Sequence, residues 1–276
     1  MTPTWYSEDE PTAPPLSAGG LLRAVLRGVP LALNTFGCLA ILLLVRLIER
    51  PLFGERRPIT PWITQYVCRS AFVLLGMGYR VEGRPMTGPG AIVANHVSWL
   101  DIFALNAPQR IYFVSKAEVA GWPGIGWLAR ATGTVFIRRA RSDAAAQREM
   151  IKARLTAGHR LLFFPEGTST DGKRVLPFRP TLFAAFFDDA MPRDLSLQPV
   201  SLIYTAPEGQ DPRFYGWWGA MTFEGHLLKV LCVKRPGSVR VIFHDPVPLS
   251  ALEGRKHAAP CLEEIVAAPV AEAAGA

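Results

Sequence analysis

The sequence predicts a mixed α/β fold: a sheet of about seven strands, flanked by helices and preceded by an N-terminal, membrane-associated helical hairpin. Two long apolar stretches fill much of the first eighty residues. Beyond them, short runs rich in Val, Ile and Phe alternate with helical or turn-rich segments, a pattern typical of strands. An Ala-rich helical segment, residues 142–157, lies between the fourth and fifth runs. This strand–helix–strand order indicates an α/β layer fold with right-handed crossovers.

Four regions are predicted along the chain. They are a disordered, Pro-rich leader (residues 1–20), hydrophobic membrane-associated helices (21–80), an α/β domain (81–266) and a flexible tail (267–276). The leader is acidic where a secretory signal would be basic, so a cleaved signal is not expected. The seven predicted strands are residues 79–82, 91–94, 111–114, 134–137, 160–164, 198–204 and 239–243.

Composition narrows the class of protein. The 276 residues include 30 Lys and Arg against 23 Asp and Glu, a net charge of +7, with a mean hydropathy of +0.17. A chain that is both basic and apolar favours a membrane surface, and no nucleic-acid-binding motif is present, so no nucleic-acid partner is expected. The four cysteines show no CxxC motif and no close pairing, which argues against a zinc ribbon or a disulfide framework and fits a reducing cytosol.

Two apolar stretches carry the membrane prediction. Residues 28–45 contain no charged side chain and as a helix would span roughly 27 Å, slightly less than the ~30 Å hydrocarbon core. Residues 62–79 contain Arg69, which would cost about 2.5–3.5 kcal/mol at the bilayer centre. We therefore predict a monotopic hairpin or a single-pass first helix, with the rest of the chain at the cytoplasmic face of the inner (plasma) membrane. A buried hairpin in the core of a soluble protein is the alternative.

Polar residues gather directly after the predicted strand 91–94. Asn95, His96, Ser98 and Asp101 lie there, and ligands and catalysts collect at the carboxyl ends of such strands. His96 is a candidate general base if Asp101 holds its other ring nitrogen, which requires His96 to lie in the turn before a helix starting near Ser98. Ser98 and Asp101 alternatively form a capping box, and both interpretations can hold together.

A second polar cluster follows the strand at residues 160–164. The segment FPEGTST places Glu166 after this strand, and the backbone amides of Gly167 and Thr168 are suited to an anion or a polar head. The alternative is an ordinary surface turn with a solvated glutamate.

A third strand end is basic. The segment GTVFIRR ends in Arg138 and Arg139, whose guanidinium groups suit bidentate recognition of phosphate or carboxylate. Residues 110–179 hold 13 Lys and Arg against 5 Asp and Glu, a local excess of +8 that attracts anionic ligands. A solvated loop is the alternative for the two arginines.

Four blocks resemble those of the glycerolipid and lysophospholipid acyltransferases of the 1-acylglycerol-3-phosphate acyltransferase type. NHVSWLD at residues 95–101 is similar to their NHxxxxD signature, and GTVFIRR (133–139), FPEGTST (164–170) and QPVS (198–201) are similar to their later blocks. The order and spacing of the four blocks agree with those of the family, and the resemblance covers about residues 60 to 250. Four blocks in order are a more specific signal than any one block alone.

The resemblance implies that His96 deprotonates an acceptor hydroxyl, that Asp101 orients His96, and that the acceptor oxygen attacks an acyl thioester directly. No GxSxG elbow is present, so no acyl-enzyme serine is expected. The acyl thioester of acyl carrier protein or of coenzyme A is a co-substrate, and no bound cofactor is expected. The other histidines lack metal-ligand spacing, so no metal is expected. The substrate-binding residues would be Asn95, Ser98, Lys116, Phe136, Arg138, Arg139, Glu166, Gly167, Thr168 and Ser169, with Pro199 and Val200 walling the acyl region.

One position departs from the family pattern. The third block commonly reads FPEGTR, in which the Arg contacts the acceptor phosphate, and Ser169 stands in that place here. Without this guanidinium, either Lys173, Arg174 or Arg179 replaces it or the acceptor is not a phosphomonoester. The fuller strings FPEGTSTDGKRVLPFRPTLF, QPVS and DPRFYGWWG look most like the bacterial lyso-ornithine lipid acyltransferases, whose acceptor is a zwitterionic aminolipid.

The sequence thus predicts a membrane-associated O-acyltransferase of lipid biosynthesis, with lyso-ornithine lipid as the favoured acceptor and lysophosphatidic acid as the alternative. Acyl carrier protein, which is acidic, is the expected donor because a basic surface would steer it. A non-catalytic lipid-binding or lipid-transfer protein is the competing class. The aromatic residues Phe214, Tyr215, Trp217 and Trp218 are predicted either at the lipid interface or in the core.

Overall fold

The computed structural model describes residues 5–7, 10–11, 16–138, 144–188, 191–192 and 194–275. Two helices come first, α1 (Ala18–Phe53) and α2 (Thr60–Leu75). The α/β domain follows. Its strands are β1 (Gly78–Glu82), β2 (Gly90–Ala94), β3 (Tyr112–Lys116), β4 (Val135–Ile137), β5 (Leu161–Phe163), β6 (Ser196–Thr205), β7 (Ser238–Phe243) and β8 (Val247–Pro248). Its helices are α3 (Asp101–Asn106), α4 (Ile125–Thr132), α5 (Ala144–Thr156), α6 (Phe223–Cys232) and α7 (Arg255–Gly275).

The strands form one mixed sheet in the order β1-β7-β6-β2-β5-β3-β4, with β8 paired to β6. The pairs β6–β2, β2–β5, β5–β3 and β3–β4 are parallel. β6 is antiparallel to β7 and to β8. The predicted fold class is confirmed, and each predicted strand is present within two residues at either end. β8 was missed because two residues give no periodic pattern. α5 accounts for the predicted helix 142–157, of which residues 142 and 143 lie outside the described part of the chain.

The central strands are buried on both faces of the sheet. In β2 all five residues are buried, and alternate side chains enter two separate core clusters. Ile92 and Ala94 pack on the side of α2, α3 and α6, while Ala91 and Val93 pack on the side of α7 and a 3-10 helix, Pro180–Phe187. Such two-sided burial explains why β2 reads as an unbroken apolar run.

α1 is the helix in the described residues that is long and apolar enough to cross a membrane. Its 36 residues extend about 54 Å, and its most apolar window has a mean hydropathy of 2.2 and is 11% buried. The exposure of this window contradicts the alternative of a buried core hairpin for α1, because a core helix would be covered.

α2 packs one face on the α/β domain, so the predicted hairpin is asymmetric. Gln65 Nε2 and Arg69 Nε both donate to the carbonyl oxygen of Ala107, at 3.1 and 2.7 Å. Arg69 therefore binds the end of α3. Trp62 and Tyr66 remain exposed on the other side of α2.

The predicted flexible tail is wrong for the residues described, and helix α1 begins inside the predicted leader. α1 already begins at Ala18, where the Ser17 hydroxyl accepts the Gly20 amide at 3.1 Å, and the ring of Trp5 packs on Trp218 at 5.7 Å between centroids. The predicted tail, residues 267–276, is helical to Gly275 and buries Val270 in α7. Ala-rich sequence has high helix propensity, and burial of Val266 and Val270 on one side of α7 docks the helix on β6.

Candidate active site

The carboxyl ends of β2, β3, β4 and β5 meet at one edge of the sheet because these strands are parallel. The segment 95–101 follows β2, Glu166 follows β5, Lys116 ends β3 and Arg138 follows β4. The three clusters expected from the sequence are therefore brought to the same edge, the usual position of a site in an α/β sheet.

His96 and Asp101 form a direct pair. His96 Nδ1 lies 2.7 Å from Asp101 Oδ2, and the same carboxylate oxygen accepts the backbone amides of Val97 at 2.8 Å and Ser98 at 3.0 Å. His96 lies in the turn before α3, as the spacing required, and Asp101 is the first residue of α3. Asp101 is fully buried, whereas the His96 side chain is 22% exposed. With Nδ1 held, His96 Nε2 is the nitrogen left to accept a proton from a substrate.

Tyr204 completes this arrangement and was not anticipated from the sequence. Its hydroxyl donates to Asp101 Oδ1 at 2.7 Å from the carboxyl end of β6. Burial and the neighbouring Asp101 raise the pKa of Tyr204 well above its ordinary value, so it remains a neutral donor. A tyrosine at the end of a strand next to β2 was the available signal, but the pairing of β6 with β2 could not be deduced from sequence alone.

Glu166 is turned into the protein. Its Oε1 accepts the His96 amide and its Oε2 accepts the Leu176 amide, both at 2.7 Å. Burial raises the pKa of Glu166 to about 8, against the lowering effect of these two amides. The predicted contact of Glu166 with the acceptor head is therefore corrected: this buried carboxyl group holds the turn that carries His96.

The loop after β5 wraps around the turn that carries His96. The Thr170 amide donates to the His96 carbonyl oxygen at 2.9 Å, and the Trp217 amide donates to the Val97 carbonyl oxygen at 2.9 Å. Gly172 has φ +76°, and a Cβ there would lie 2.7 Å from Val97 Cγ1, so glycine is required for this close approach. His96 also stacks on Phe164, with ring centroids 4.0 Å apart. The base is thus held on several sides.

Two residues that were predicted to bind substrate, Asn95 and Ser98, are instead buried parts of the fold. Asn95 Nδ2 donates to the Leu202 carbonyl oxygen at 3.0 Å and its Oδ1 accepts the Leu202 amide at 2.7 Å, so the buried amide joins β2 to β6. Ser98 is fully buried, and its hydroxyl has no hydrogen-bond partner among the described residues. We correct both assignments, because neither group is accessible to a lipid head. The Ser98 amide on Asp101 is one half of the predicted capping box.

The remaining predicted residues lie in strands of the sheet or in the loops that follow them. Ser169 Oγ donates to the Trp217 carbonyl oxygen, and Thr168 Oγ1 accepts the Trp5 amide at 3.4 Å. Gly167 has φ +73° in the turn after β5. Lys116, Phe136 and Arg138 line the ends of β3 and β4, and Arg139 lies outside the described residues. Pro199 and Val200 are buried beside Val93 and Ala94, just below His96. Their roles toward substrate remain predictions.

The aromatic run after β6 belongs mainly to the core. Phe214, Tyr215 and Trp218 are buried, so a lipid-facing position is wrong for them, while Trp217 is partly buried beside the site. Among the described residues, no group of three or more His, Cys, Asp or Glu side chains is placed to hold a metal ion.

The sequence profile of the acyltransferase family matches residues 79–222, slightly more than half of the chain, and this range contains His96, Asp101, Glu166 and Tyr204. The chain belongs to this family and is an O-acyltransferase, as its motifs predicted. It is 55% identical over 264 residues to the lyso-ornithine lipid O-acyltransferase of Rhodobacter capsulatus, covering 96% of each chain.

Two further comparisons bear on acceptor and fold. The 1-acyl-sn-glycerol-3-phosphate acyltransferase of Neisseria gonorrhoeae is 38% identical over 124 residues, 44% of this chain and 48% of that protein. The crystal structure of the 1-acyl-sn-glycerophosphate acyltransferase of Thermotoga maritima matches with a TM-score of 0.63 at 22% identity, covering 92% of this chain and 95% of that one. At this identity the likeness establishes a common fold.

Proposed function

We propose that this acyltransferase transfers a fatty acyl group from an acyl thioester to the hydroxyl of lyso-ornithine lipid at the cytoplasmic face of the inner membrane. The similarity to the Rhodobacter capsulatus enzyme extends over nearly the whole chain and supports this acceptor. Ser169, in place of the arginine common in phosphate-binding relatives, supports it from the chemistry of the site, because a serine hydroxyl cannot form a bidentate pair with phosphate.

The observation that carries the proposal is the hydrogen bond between His96 Nδ1 and Asp101 Oδ2 at 2.7 Å. His96 Nε2 removes the proton of the acceptor hydroxyl while the hydroxyl oxygen bonds to the thioester carbonyl carbon. The tetrahedral intermediate then expels the thiolate by breaking the C–S bond, and the imidazolium returns the proton to sulfur. Asp101 stabilises the imidazolium between these steps.

Each part of the site has a share in the rate. General-base assistance typically contributes about 10²–10⁴-fold, and holding acceptor and thioester together supplies much of the rest. Glu166 and Asp101 together hold the His96 turn through three backbone amides of residues 96–98. We assign acceptor positioning to polar groups at this edge of the sheet, with Lys116 at the end of β3 among them.

Arg174 is a candidate contact for the anionic part of the acceptor head. Its guanidinium lies 5.3 Å from the Trp5 ring and pairs with Asp171 at 3.2 Å, beside the Thr168–Ser169 rim. The Arg174 side chain is 58% exposed although Asp171 is buried, so the guanidinium has donors that face solvent. A carboxylate on the acceptor can therefore compete for the same guanidinium.

Acyl carrier protein is the proposed donor, with coenzyme A thioester as the alternative. Residues 110–179 carry the local excess of +8, and acidic partners are steered by such a surface. A donor steered in this way loses rate as salt is added.

Lysophosphatidic acid is the second candidate acceptor, favoured by the similarity to the Neisseria gonorrhoeae enzyme over 124 residues. Activity with lysophosphatidic acid alone would overturn the lyso-ornithine lipid proposal while retaining the mechanism. Lipid binding without turnover would instead indicate a non-catalytic lipid-transfer protein.

The test is an acyl-transfer assay on the purified full chain in detergent. Labelled palmitoyl thioesters of acyl carrier protein and of coenzyme A are each offered with lyso-ornithine lipid and with lysophosphatidic acid. We expect product from lyso-ornithine lipid, and a loss of about 10²–10⁴-fold in His96→Ala. His257→Ala is the matched control, because His257 is exposed on α7 and should leave the rate unchanged.

A further inference from the structure

A second exposed aromatic surface lies beside α1. The segment 117–132 consists of a 3-10 helix, Ala117–Gly121, followed by α4. It leaves the Trp122 side chain 40% exposed and the Trp127 side chain 61% exposed. Gly126 allows α4 to pack closely on the preceding 3-10 helix, since a Cβ at this position would lie 2.3 Å from the Ala120 carbonyl oxygen. The short helix is thereby packed tightly on the preceding turn.

This tryptophan segment, residues 117–132, is continuous with the apolar face of α1. A Cβ at Gly124 would lie 3.9 Å from Phe36 Cζ, and Phe36 is one of the exposed apolar residues of α1. Arg57, between α1 and α2, donates through Nη1 to the Ala131 carbonyl oxygen at 2.7 Å. α4 also packs against both N-terminal helices.

The chemistry around this surface is that of a membrane interface. Trp62 and Tyr66 are exposed on α2, and the Arg110 guanidinium lies 4.1 Å above the Trp62 ring. Arg130 is exposed on α4. Tryptophan and tyrosine collect at the level of lipid head groups, where arginine meets anionic phosphates.

We propose that the tryptophan segment is a second membrane contact, which inserts Trp122 and Trp127 into the head-group region beside α1. The proposal rests on the proposed function at the inner membrane, with α1 as the helix that enters the membrane. A docking surface for an acidic carrier protein would expose mainly Lys and Arg, whereas the largest exposed side chains here are apolar indole rings. A second copy of the chain is an outcome that the experiment distinguishes.

The position of this contact explains how a lysolipid reaches the base without leaving the leaflet. The Trp122 ring meets the Trp217 ring edge to face at 6.1 Å, and the Trp217 carbonyl oxygen accepts the Ser169 hydroxyl. The proposed membrane surface is therefore one aromatic ring away from the rim of the candidate active site. The acceptor head can enter between them while its acyl chain stays in lipid.

Fluorescence quenching tests the contact without requiring turnover. The full chain is reconstituted into vesicles of phosphatidylglycerol and phosphatidylcholine with brominated acyl chains, and the quenched part of the tryptophan emission is measured. If Trp62, Trp122 and Trp127 are the lipid-facing members of the seven tryptophans, Trp127→Phe removes about one third of the quenched emission. Trp99→Phe is the matched control, because Trp99 is buried and donates to His226 Nδ1 at 2.9 Å. It should remove none of the quenched emission.

A second readout links the contact to acceptor delivery. In Trp127→Glu we expect the rate with lyso-ornithine lipid embedded in vesicles to fall roughly ten-fold relative to the rate with the same lipid in detergent micelles. Met150→Glu, at an exposed apolar position on α5, is the control and should leave this ratio unchanged. Unchanged quenching in Trp127→Phe would overturn the proposal. It would also be overturned if a cross-linked second copy of the chain shielded Trp127 from the brominated lipid. Absence of activity with normal quenching would overturn the proposed function alone.

Discussion

The hydroxyl of Tyr204 donates to Asp101 Oδ1 at 2.7 Å, and the other oxygen of the same carboxylate lies 2.7 Å from His96 Nδ1. Tyr204 follows Asp101 by 103 residues in the chain. The tyrosine does not reach the reacting atoms, so it acts on the base through Asp101 as a positioning residue. Each member of this relay has its own measurable signature.

Tyr204→Phe removes one hydrogen bond from the buried carboxylate and leaves the ring in place. We expect kcat to fall by about five- to ten-fold, which corresponds to ~1–1.4 kcal/mol and lies within the range of a single hydrogen bond. The carboxylate, with one donor fewer, favours the imidazolium of His96 more strongly. The acid limb of the pH–rate profile should therefore move to higher pH.

Tyr79→Phe is the matched control for this prediction. Tyr79 lies against the same core cluster, and its hydroxyl donates to the Ala104 carbonyl oxygen at 2.9 Å without touching the dyad. A general loss of packing or stability would affect both variants. A shift of the pH profile in Tyr79→Phe, or none in Tyr204→Phe, would refute the positioning role.

Asp101→Asn should have the opposite effect on pH dependence. The amide oxygen can still accept the Val97 and Ser98 amides, and the amide nitrogen can donate to Tyr204, so the turn is retained. The charge that stabilises the imidazolium is lost, and we expect a decrease in kcat of about 10²–10⁴-fold. The acid limb should move to lower pH. Retention of more than half the wild-type rate would show that Asp101 has no part in catalysis.

Glu166 gives a prediction about stability. Its pKa is raised to about 8 by burial, from an ordinary value of 4.5 in the unfolded chain. Between these pH values the folded protein retains a proton that the unfolded chain releases, so the contribution of Glu166 to the free energy of unfolding decreases as pH rises from about 4.5 to 8. Thermal unfolding in detergent, measured across this window, should show a steeper decline with pH in the wild type than in Glu166→Gln.

The same variant also tests the structural role of Glu166. The amide nitrogen of Gln must face the amide of either His96 or Leu176, leaving one buried donor unpaired at a cost of about 1–3 kcal/mol. Glu166→Gln should therefore be less stable than the wild type near pH 4.5, and this difference should shrink as the pH rises toward 8 and the wild type loses stability. Equal stability with a parallel pH dependence would contradict the assignment.

Ser169→Arg tests the choice of acceptor. The guanidinium provides a bidentate phosphate ligand at the position where the FPEGTR pattern has arginine. We expect kcat/KM for lysophosphatidic acid to rise by about ten-fold or more relative to lyso-ornithine lipid. Ser169→Ala, which removes only the hydroxyl contact with Trp217, is the control and should not alter this ratio. An unchanged preference in Ser169→Arg would assign head-group selection to other residues.

Features of the protein that depend on neighbouring residues were evident from the sequence by itself. Strands such as β2 are short apolar runs, so their burial can be predicted from adjacent residues. His96 and Asp101 are five residues apart, and a turn followed by a helix start is enough to bring them together. The polar strand ends were also evident from the local sequence, and parallel strands bring their carboxyl ends to a common edge. α7 was the exception, since its buried positions lie among many alanines that give no contrast in polarity.

Tertiary structure decided which way the polar groups turn. Asn95 and Glu166 belong to recognised motifs. The Asn95 side chain nevertheless hydrogen-bonds to the Leu202 backbone in β6, and the Glu166 carboxyl accepts the amides of His96 and Leu176. Tyr204 carries no motif and reaches Asp101 because β6 pairs with β2. A buried polar group binds whatever donor the fold brings within hydrogen-bond distance, and that distance is set by contacts between residues far apart in the chain.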